Sequence, residues 1–203
     1  MGYEKAATAF HALLNEQAWD LIVSSGFAGA LVPSSVGTLV VSSHVLVLDQ
    51  DNVLESRITW GDIVSPFYRV AKMVSEQMGG SPLLGPVAMV KRIVCEAQHK
   101  ASIGRQTQCL ALDMESGTIG KLATDRRIPF LVVRTISDLV EENLPLDLNV
   151  LWQKTLWIQG LLNLVTHPRQ LWQFNRLRKQ MIVASEQLTR FFQDFFNQME
   201  RCA

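Results

Sequence analysis

The chain has 203 residues, enough for one domain with a sizeable core, because 48% of them are hydrophobic. Its 19 Lys and Arg balance 19 Asp and Glu, which excludes the large electrostatic footprint of a nucleic-acid or anionic-lipid binder. Cys95, Cys109 and Cys202 lack C-x-x-C spacing, so neither a disulfide scaffold nor a thiolate metal site is expected, and a reducing, cytoplasmic setting is the simplest expectation.

The opening MGYEKAATAFHALL has no basic stretch, and polar residues interrupt its apolar positions, unlike a signal peptide. Ala6, Ala7, Phe10, Leu13 and Leu14 recur at helical spacing and predict a helix over Tyr3 to Gln17. LIVSS suits a buried strand, and the small residues of GFAGALVPSSVG read as a turn. Thr38 to Leu48 predicts a strand; Asp49 to Gly61 carries no clear pattern. Ser65 to Met78 predicts a helix with Pro66 in its first turn, and GGSPLLGP ends it. Val87 to Val94 reads as a strand, and Glu96 to Gly104 as a short helix.

CLALDMES then begins as a buried strand and ends polar, as does IPFLVVRTISD. Between them Ser116 to Arg126 is helical, with Ile119, Leu122 and Ala123 on one face. Buried strands alternating with helices predict an α/β fold: a mixed, mostly parallel central sheet flanked by helices. Ligands of such sheets gather beyond the carboxyl ends of the strands, where Asp113, Glu115, Ser137 and Asp138 fall. Carboxylates on two adjacent strand ends suit acid catalysis and sugar binding. Ser116 and Asp138 are equally good helix caps, so the residues alone leave both readings open.

After Pro145 the chain turns helical, over Leu151 to Leu164 and again over Leu171 to Met199, giving a single domain 1–203 with a helical C-terminal part over 151–199. Leu188, Phe191, Phe192, Phe195, Phe196 and Met199 form an apolar stripe. It fits packing on the sheet or a second subunit, and alternatively contact with a lipid-like substrate or a membrane surface. Phosphate-binding glycine loops and an H-E-x-x-H pair are absent, and His11, His44, His99 and His167 are scattered, so neither a metal nor a cofactor is expected.

ALDMESGTIGKLATDRRIPFLVVRTISD holds in order a strand into D-M-E-S, a helix, I-P, a buried strand and R-x-I-S-D. This resembles the signature region of the nucleoside phosphorylase and nucleosidase superfamily. DLIVSSGFAGAL with VGTLVVS is similar to the family's G-x-A-G turn and following strand, and MGYEKAATAFHALL to its G-x-G-x-x-x-A-A helix. The resemblance spans most of Met1 to Asp138, weakly from about Gln50 to Met89. Within the superfamily, D-M-E-S, the upstream helix with Lys100 and the Pro-Arg-containing tail resemble the hopanoid-biosynthesis group, which is expected to act on adenosylhopane and release adenine.

The resemblance implies cleavage of the N-glycosidic bond of a 5′-substituted adenosine-like nucleoside. It assigns Glu115 to the ribose 2′- and 3′-hydroxyls, Met114 to the face of the sugar, and Asp138 to protonation of purine N7. Ser137 would orient Asp138 or the base. Asp113 stands where nucleosidases often carry glutamate. Phe27, Ala28 and Gly29 would lie in the turn beside the sugar and nucleophile, and the base pocket would draw backbone from near Val90 to Ile93. Phosphate would enter as a co-substrate only in a phosphorylase. The phosphorylase R-x-G-T reads Ser24, Ser25, Gly26 and Phe27 here. The missing arginine, the bidentate partner of phosphate, tilts the expectation toward water. Arg57 and Arg134 are the other cations considered, the latter as a structural residue.

Family members begin with a further strand, which in nucleosidases also supplies a water-activating glutamate. This chain opens at the G-x-G-like helix, and Glu4 does not match that glutamate. An N-terminal truncation relative to the family is therefore expected, with an unpaired sheet edge. The alternative function is a truncated or degenerate relative that binds nucleosides without catalysis or serves as an assembly partner. The expected partners are a small nucleoside and a second copy in a homodimer, with no nucleic acid, and peripheral membrane contact through a lipid-like substrate.

Overall fold

A computed structural model describes residues 19–49, 54–59, 66–144 and 168–202. The helices expected over Tyr3 to Gln17 and Leu151 to Leu164 lie outside the described residues. The strands are β1 (Ile22–Ala30), β2 (Leu39–Leu48), β3 (Leu54–Ile58), β4 (Leu83–Met89), β5 (Ala111–Asp113) and β6 (Phe130–Asp138). The helices are α1 (Pro66–Gln77), α2 (Ala97–Thr107), α3 (Ser116–Asp125) and α4 (Pro168–Cys202).

The sheet runs β3-β2-β4-β5-β1-β6, and β6 also pairs with the first half of β2, Leu39↔Thr135 to Ser42↔Val132. This second pairing closes β2, β4, β5, β1 and β6 into a ring. Parallel ladders join β1 to β6, β2 to β4 and β4 to β5; antiparallel ladders join β1 to β5, β2 to β3 and β2 to β6. Each ring strand is paired on both sides, so the unpaired edge expected from the resemblance does not occur in it. Closure leaves no template for edge-to-edge association there. Ala28, Ala30, Val40, Val87, Ala111 and Ile136 pack together from all five strands, and their modest volume suits the narrow interior of a small ring.

Every residue of β6 is buried, as expected of a strand with neighbours on both edges and layers on both faces. On one side α3 packs Ile119, Leu122 and Ala123 against Val45, Val47, Met89, Phe130 and Val132. A Cβ on Gly117 would stand 2.7 Å from Val47 Cγ2, and one on Gly120 2.8 Å from Phe130 Cε1, so these glycines let the helix lie close to the sheet. Elsewhere α1 and α4 cover β2 and β6: Tyr68, Ala71, Val74, Phe191 and Phe195 meet Leu39, Val41, Leu131 and Val133. Phe191 and Phe195 are fully buried and stack at 5.7 Å between ring centroids. The C-terminal aromatic stripe is therefore mainly packed on the sheet; Phe196, 54% exposed, stands outside it. No described helix is long and apolar enough to cross a membrane.

Two element expectations are corrected. GFAGA is not a turn but the second half of β1. Gly26 to Gly29 pair with Arg134 to Asp138 of β6, and Gly29 and Ala30 with Leu112 and Ala111 of β5. Long-range pairing and the need for small residues inside the ring override the local turn propensity. The strand placed over Val87 to Val94 begins earlier and ends at Met89. Gly85 belongs to it by pairing with Ser42 of β2; a Cβ there would lie 2.8 Å from Leu110 Cδ1, and the Pro86 carbonyl accepts from Leu110 N at 2.9 Å. The unpatterned stretch after Asp49 contributes β3, paired along Val45 to Leu48.

Candidate active site

Gly29 is the rung that assembles the site. It pairs with Leu112 of β5 on one edge and with Asp138 of β6 on the other. The two carboxylate-bearing strand ends are thus not on adjacent strands, as expected, but flank β1 at one level. Because β5 ends at Asp113, the chain turns there into α3 and carries Met114 and Glu115 to the same place. Together they border a cavity of about 580 Å³. Phe27, Ala28, Gly29, Asp113, Met114, Glu115, Ser137 and Asp138 all line it. Ala28 and Gly29 do so from strand β1 and not from a turn.

The carboxylates have different environments. Asp113 is buried, and both of its oxygens are engaged: Oδ1 accepts from Ser116 Oγ at 2.8 Å, Ser116 N at 3.2 Å and Glu115 N at 3.3 Å, while Oδ2 accepts from Arg134 Nε at 2.5 Å. It therefore caps α3 and neutralises a buried guanidinium. The capping reading holds in this corner of the fold, but for Asp113 and not for Ser116 or Asp138. Arg134 completes its contacts by donating to Ser24 Oγ at 2.8 Å, at the position where the resemblance expects the phosphate arginine. Arg57 sits exposed on β3 and is absent from the cavity wall.

Glu115 is half-buried, and its carboxylate has no hydrogen-bond partner among the described residues. Burial, and then the neighbouring Asp113, push it above the usual carboxylate range, with Arg134 opposing. Asp138 is held on both oxygens: Lys100 Nζ donates to Oδ2 at 2.8 Å and Ser137 Oγ to Oδ1 at 3.1 Å. A Cβ on Gly29 would stand 3.0 Å from Asp138 Oδ2, so the glycine gives the carboxylate its room. The site thus offers one carboxylate free to accept from a ligand and one fixed in place.

The rest of the wall is mainly apolar: Ile93, Val94, Leu112 and Leu144, with Leu177, Met181 and Ile182 from α4. The α4 residues escaped the sequence reading. Leu177, Met181 and Ser185 stand on the same side of the helix as Phe191 and Phe195 but several turns earlier, with Ile182 beside them. Arg178 also lines the cavity, while Arg176 pairs with Glu142. Among the described residues no group of three His, Cys, Asp or Glu stands ready to hold a metal ion.

The family model of the phosphorylase superfamily matches residues 1–163. The chain belongs to the phosphorylase superfamily. It is 25% identical over 159 residues to the 5′-methylthioadenosine/S-adenosylhomocysteine nucleosidase of Shewanella halifaxensis, covering 72% of this chain and 69% of that protein. Two solved structures share its fold at low identity. The same nucleosidase from Neisseria meningitidis, in complex with methylthio-immucillin-A, superposes with a TM-score of 0.69 at 17% identity, over 98% of this chain and 78% of that one. Futalosine hydrolase of Helicobacter pylori does so at 0.71 and 15%, over 98% and 76%.

Proposed function

We propose that this superfamily member hydrolyses the N-glycosidic bond of a 5′-substituted adenosine-like nucleoside and releases adenine. The observation that carries this reading is the juxtaposition at Gly29: a Glu115 carboxylate with no hydrogen-bond partner among the described residues and a fixed Asp138 carboxylate border one apolar cavity. The related proteins named above, nucleosidases and a futalosine hydrolase, support it. In this reading Met114 packs on the sugar and Glu115 accepts from its 2′- and 3′-hydroxyls. Departure of the base leaves positive charge on the ribose, which the Glu115 carboxylate stabilises. Asp138, oriented by Ser137, serves the proton that N7 takes up as the bond breaks, help worth roughly 10²- to 10⁴-fold. Asp113 contributes by positioning, since its oxygens are engaged with Arg134 and the start of α3.

Water is the favoured nucleophile. The Arg134 guanidinium is committed to Asp113 and Ser24, so it is not offered to a phosphate dianion. The apolar wall of Leu144, Leu177, Met181 and Ile182 supports a bulky apolar 5′ substituent; adenosylhopane, suggested by the resemblance, is of that kind. Adenine release, followed by chromatography from methylthioadenosine, S-adenosylhomocysteine and adenosylhopane with and without phosphate, tests the whole reading. Adenine formed without phosphate supports it. Release that needs phosphate and yields a sugar phosphate replaces hydrolysis by phosphorolysis. A folded chain that releases nothing from any of the three loses the catalytic reading.

A further inference from the structure

Lys100 is the most unusual residue in the fold. Its side chain is fully buried, yet it carries an ammonium group. Nζ donates to Asp138 Oδ2 at 2.8 Å and to the Leu139 carbonyl at 2.5 Å. The partners lie 38 and 39 positions away, so the contact is built by tertiary packing. Helix α2, which carries Lys100, is held tightly at both ends. A Cβ on Gly104 would meet the Leu31 carbonyl oxygen at 2.5 Å, so the helix seats directly against the end of β1. At its start, Ala97 N donates to Asn143 Oδ1 at 2.8 Å, and Leu144 N to the Cys95 carbonyl at 2.8 Å. The helix is thereby tied to the segment that follows β6, and Lys100 is delivered to the strand end that bears Asp138.

A buried ion pair is a poor device for stability alone, because apolar residues of similar volume commonly serve as well or better. Its location suggests a different use. Lys100 holds one oxygen of the carboxylate and Ser137 the other. We propose that Lys100 is the positioning residue of the N7 acid, acting through Asp138 to hold its carboxyl group and to balance its charge while the base departs. The inference rests on the hydrolase reading above and deepens it. The electron pair of the C1′–N9 bond leaves with the base. One proton passes from the Lys100–Asp138 pair, through Asp138, to N7. The proton released when water adds to C1′ restores the pair. Without Lys100, Asp138 keeps only Ser137 and is free to turn away from N7.

The test compares two leaving groups on the full chain. Methylthioadenosine releases a base that needs its proton; 4-nitrophenyl β-D-ribofuranoside releases a phenolate that does not. For Lys100→Met, kcat for adenine release falls about 10²-fold or more, the scale of lost general acid help. KM and nitrophenolate release stay close to wild type, and Lys100→Arg regains part of the adenine rate. Equal losses on both substrates overturn the proposal, because they mark a structural role only. Undiminished adenine release overturns it as well. Thermal unfolding establishes that each variant is folded, and Lys100→Gln, which keeps a donor, substitutes if Lys100→Met is not. Whichever of methylthioadenosine, S-adenosylhomocysteine and adenosylhopane the wild type cleaves serves as the adenine substrate; a folded wild type that cleaves none of them sinks the hydrolase reading and this inference with it, whereas an active wild type with an equally active Lys100→Met sinks the inference alone.

Discussion

At Glu115 stability and function oppose one another. Its carboxylate is half-buried, near Asp113, and unpartnered among the described residues, so the folded chain binds its proton more readily than the unfolded chain does. The stabilisation linked to that proton is fully present below the ordinary glutamate value. It is lost as pH rises through the raised one. Glu115→Gln should therefore melt at a higher temperature than wild type at pH 7, and the gap should close as pH falls toward 4; thermal unfolding at several pH values reads this directly. Activity should move the other way, because only the ionised form accepts from both ribose hydroxyls. Adenine release should decline as pH falls through the raised value, and the glutamine variant should lose roughly 10²-fold or more in kcat/KM. Gly29 makes a second residue-scale prediction. A methyl group there would press on Asp138 Oδ2 from 3.0 Å. Gly29→Ala should lower kcat about 10²-fold, the usual cost of displacing a reacting group by an ångström or less, with a smaller change in KM. Steady-state kinetics with methylthioadenosine checks it.

Among the elements, α4 links packing to specificity. Its later turns place Phe191 and Phe195 in the cluster with α1, β2 and β6, and its earlier turns present Leu177, Met181 and Ile182 to the cavity. Phe191→Ala should destabilise the fold by about 3–5 kcal/mol, as expected for a large aromatic truncated in a core, and urea unfolding measures that loss. The loosened helix should also raise KM for apolar 5′ substituents more than it lowers kcat. The core turns of α4 were legible in the sequence because the Phe residues recur at helical spacing. Its cavity-lining turns were not, because Leu177, Met181 and Ile182 look like ordinary helix residues until the strand ends are placed against them. The same limit explains β1. GFAGA contains the small residues of a turn, and its strand character comes from β5 and β6 on its two edges.

At the scale of the molecule, Arg134 joins three strands of the ring. From β6 it reaches Asp113 on β5 and Ser24 on β1, buried at every contact. Arg134→Met should cost about 3–5 kcal/mol, because it leaves a buried carboxylate without its partner. Denaturant unfolding would measure it, and the double variant Arg134→Met with Asp113→Asn should recover part of the loss despite the weaker cap on α3. A cost below 1 kcal/mol would show that the pair does not hold the ring together.

The sequence by itself determined most local features: the helices α1, α2 and α3, the continuous apolar β6, and the D-M-E-S and I-S-D carboxylates at strand ends. These follow from side-chain periodicity and turn chemistry, which act over a few residues. Tertiary structure alone decided how those carboxylates differ. Asp113 became a cap and a counter-ion because Arg134 lies 21 residues away in sequence but 2.5 Å away in space. Asp138 acquired Lys100 because Gly104 lets α2 seat against β1, and Glu115, without a hydrogen-bond partner among the described residues, reaches the cavity because β5 ends beside it. Burial and charge partners set what a carboxylate can do, and both come from distant parts of the chain meeting in the fold.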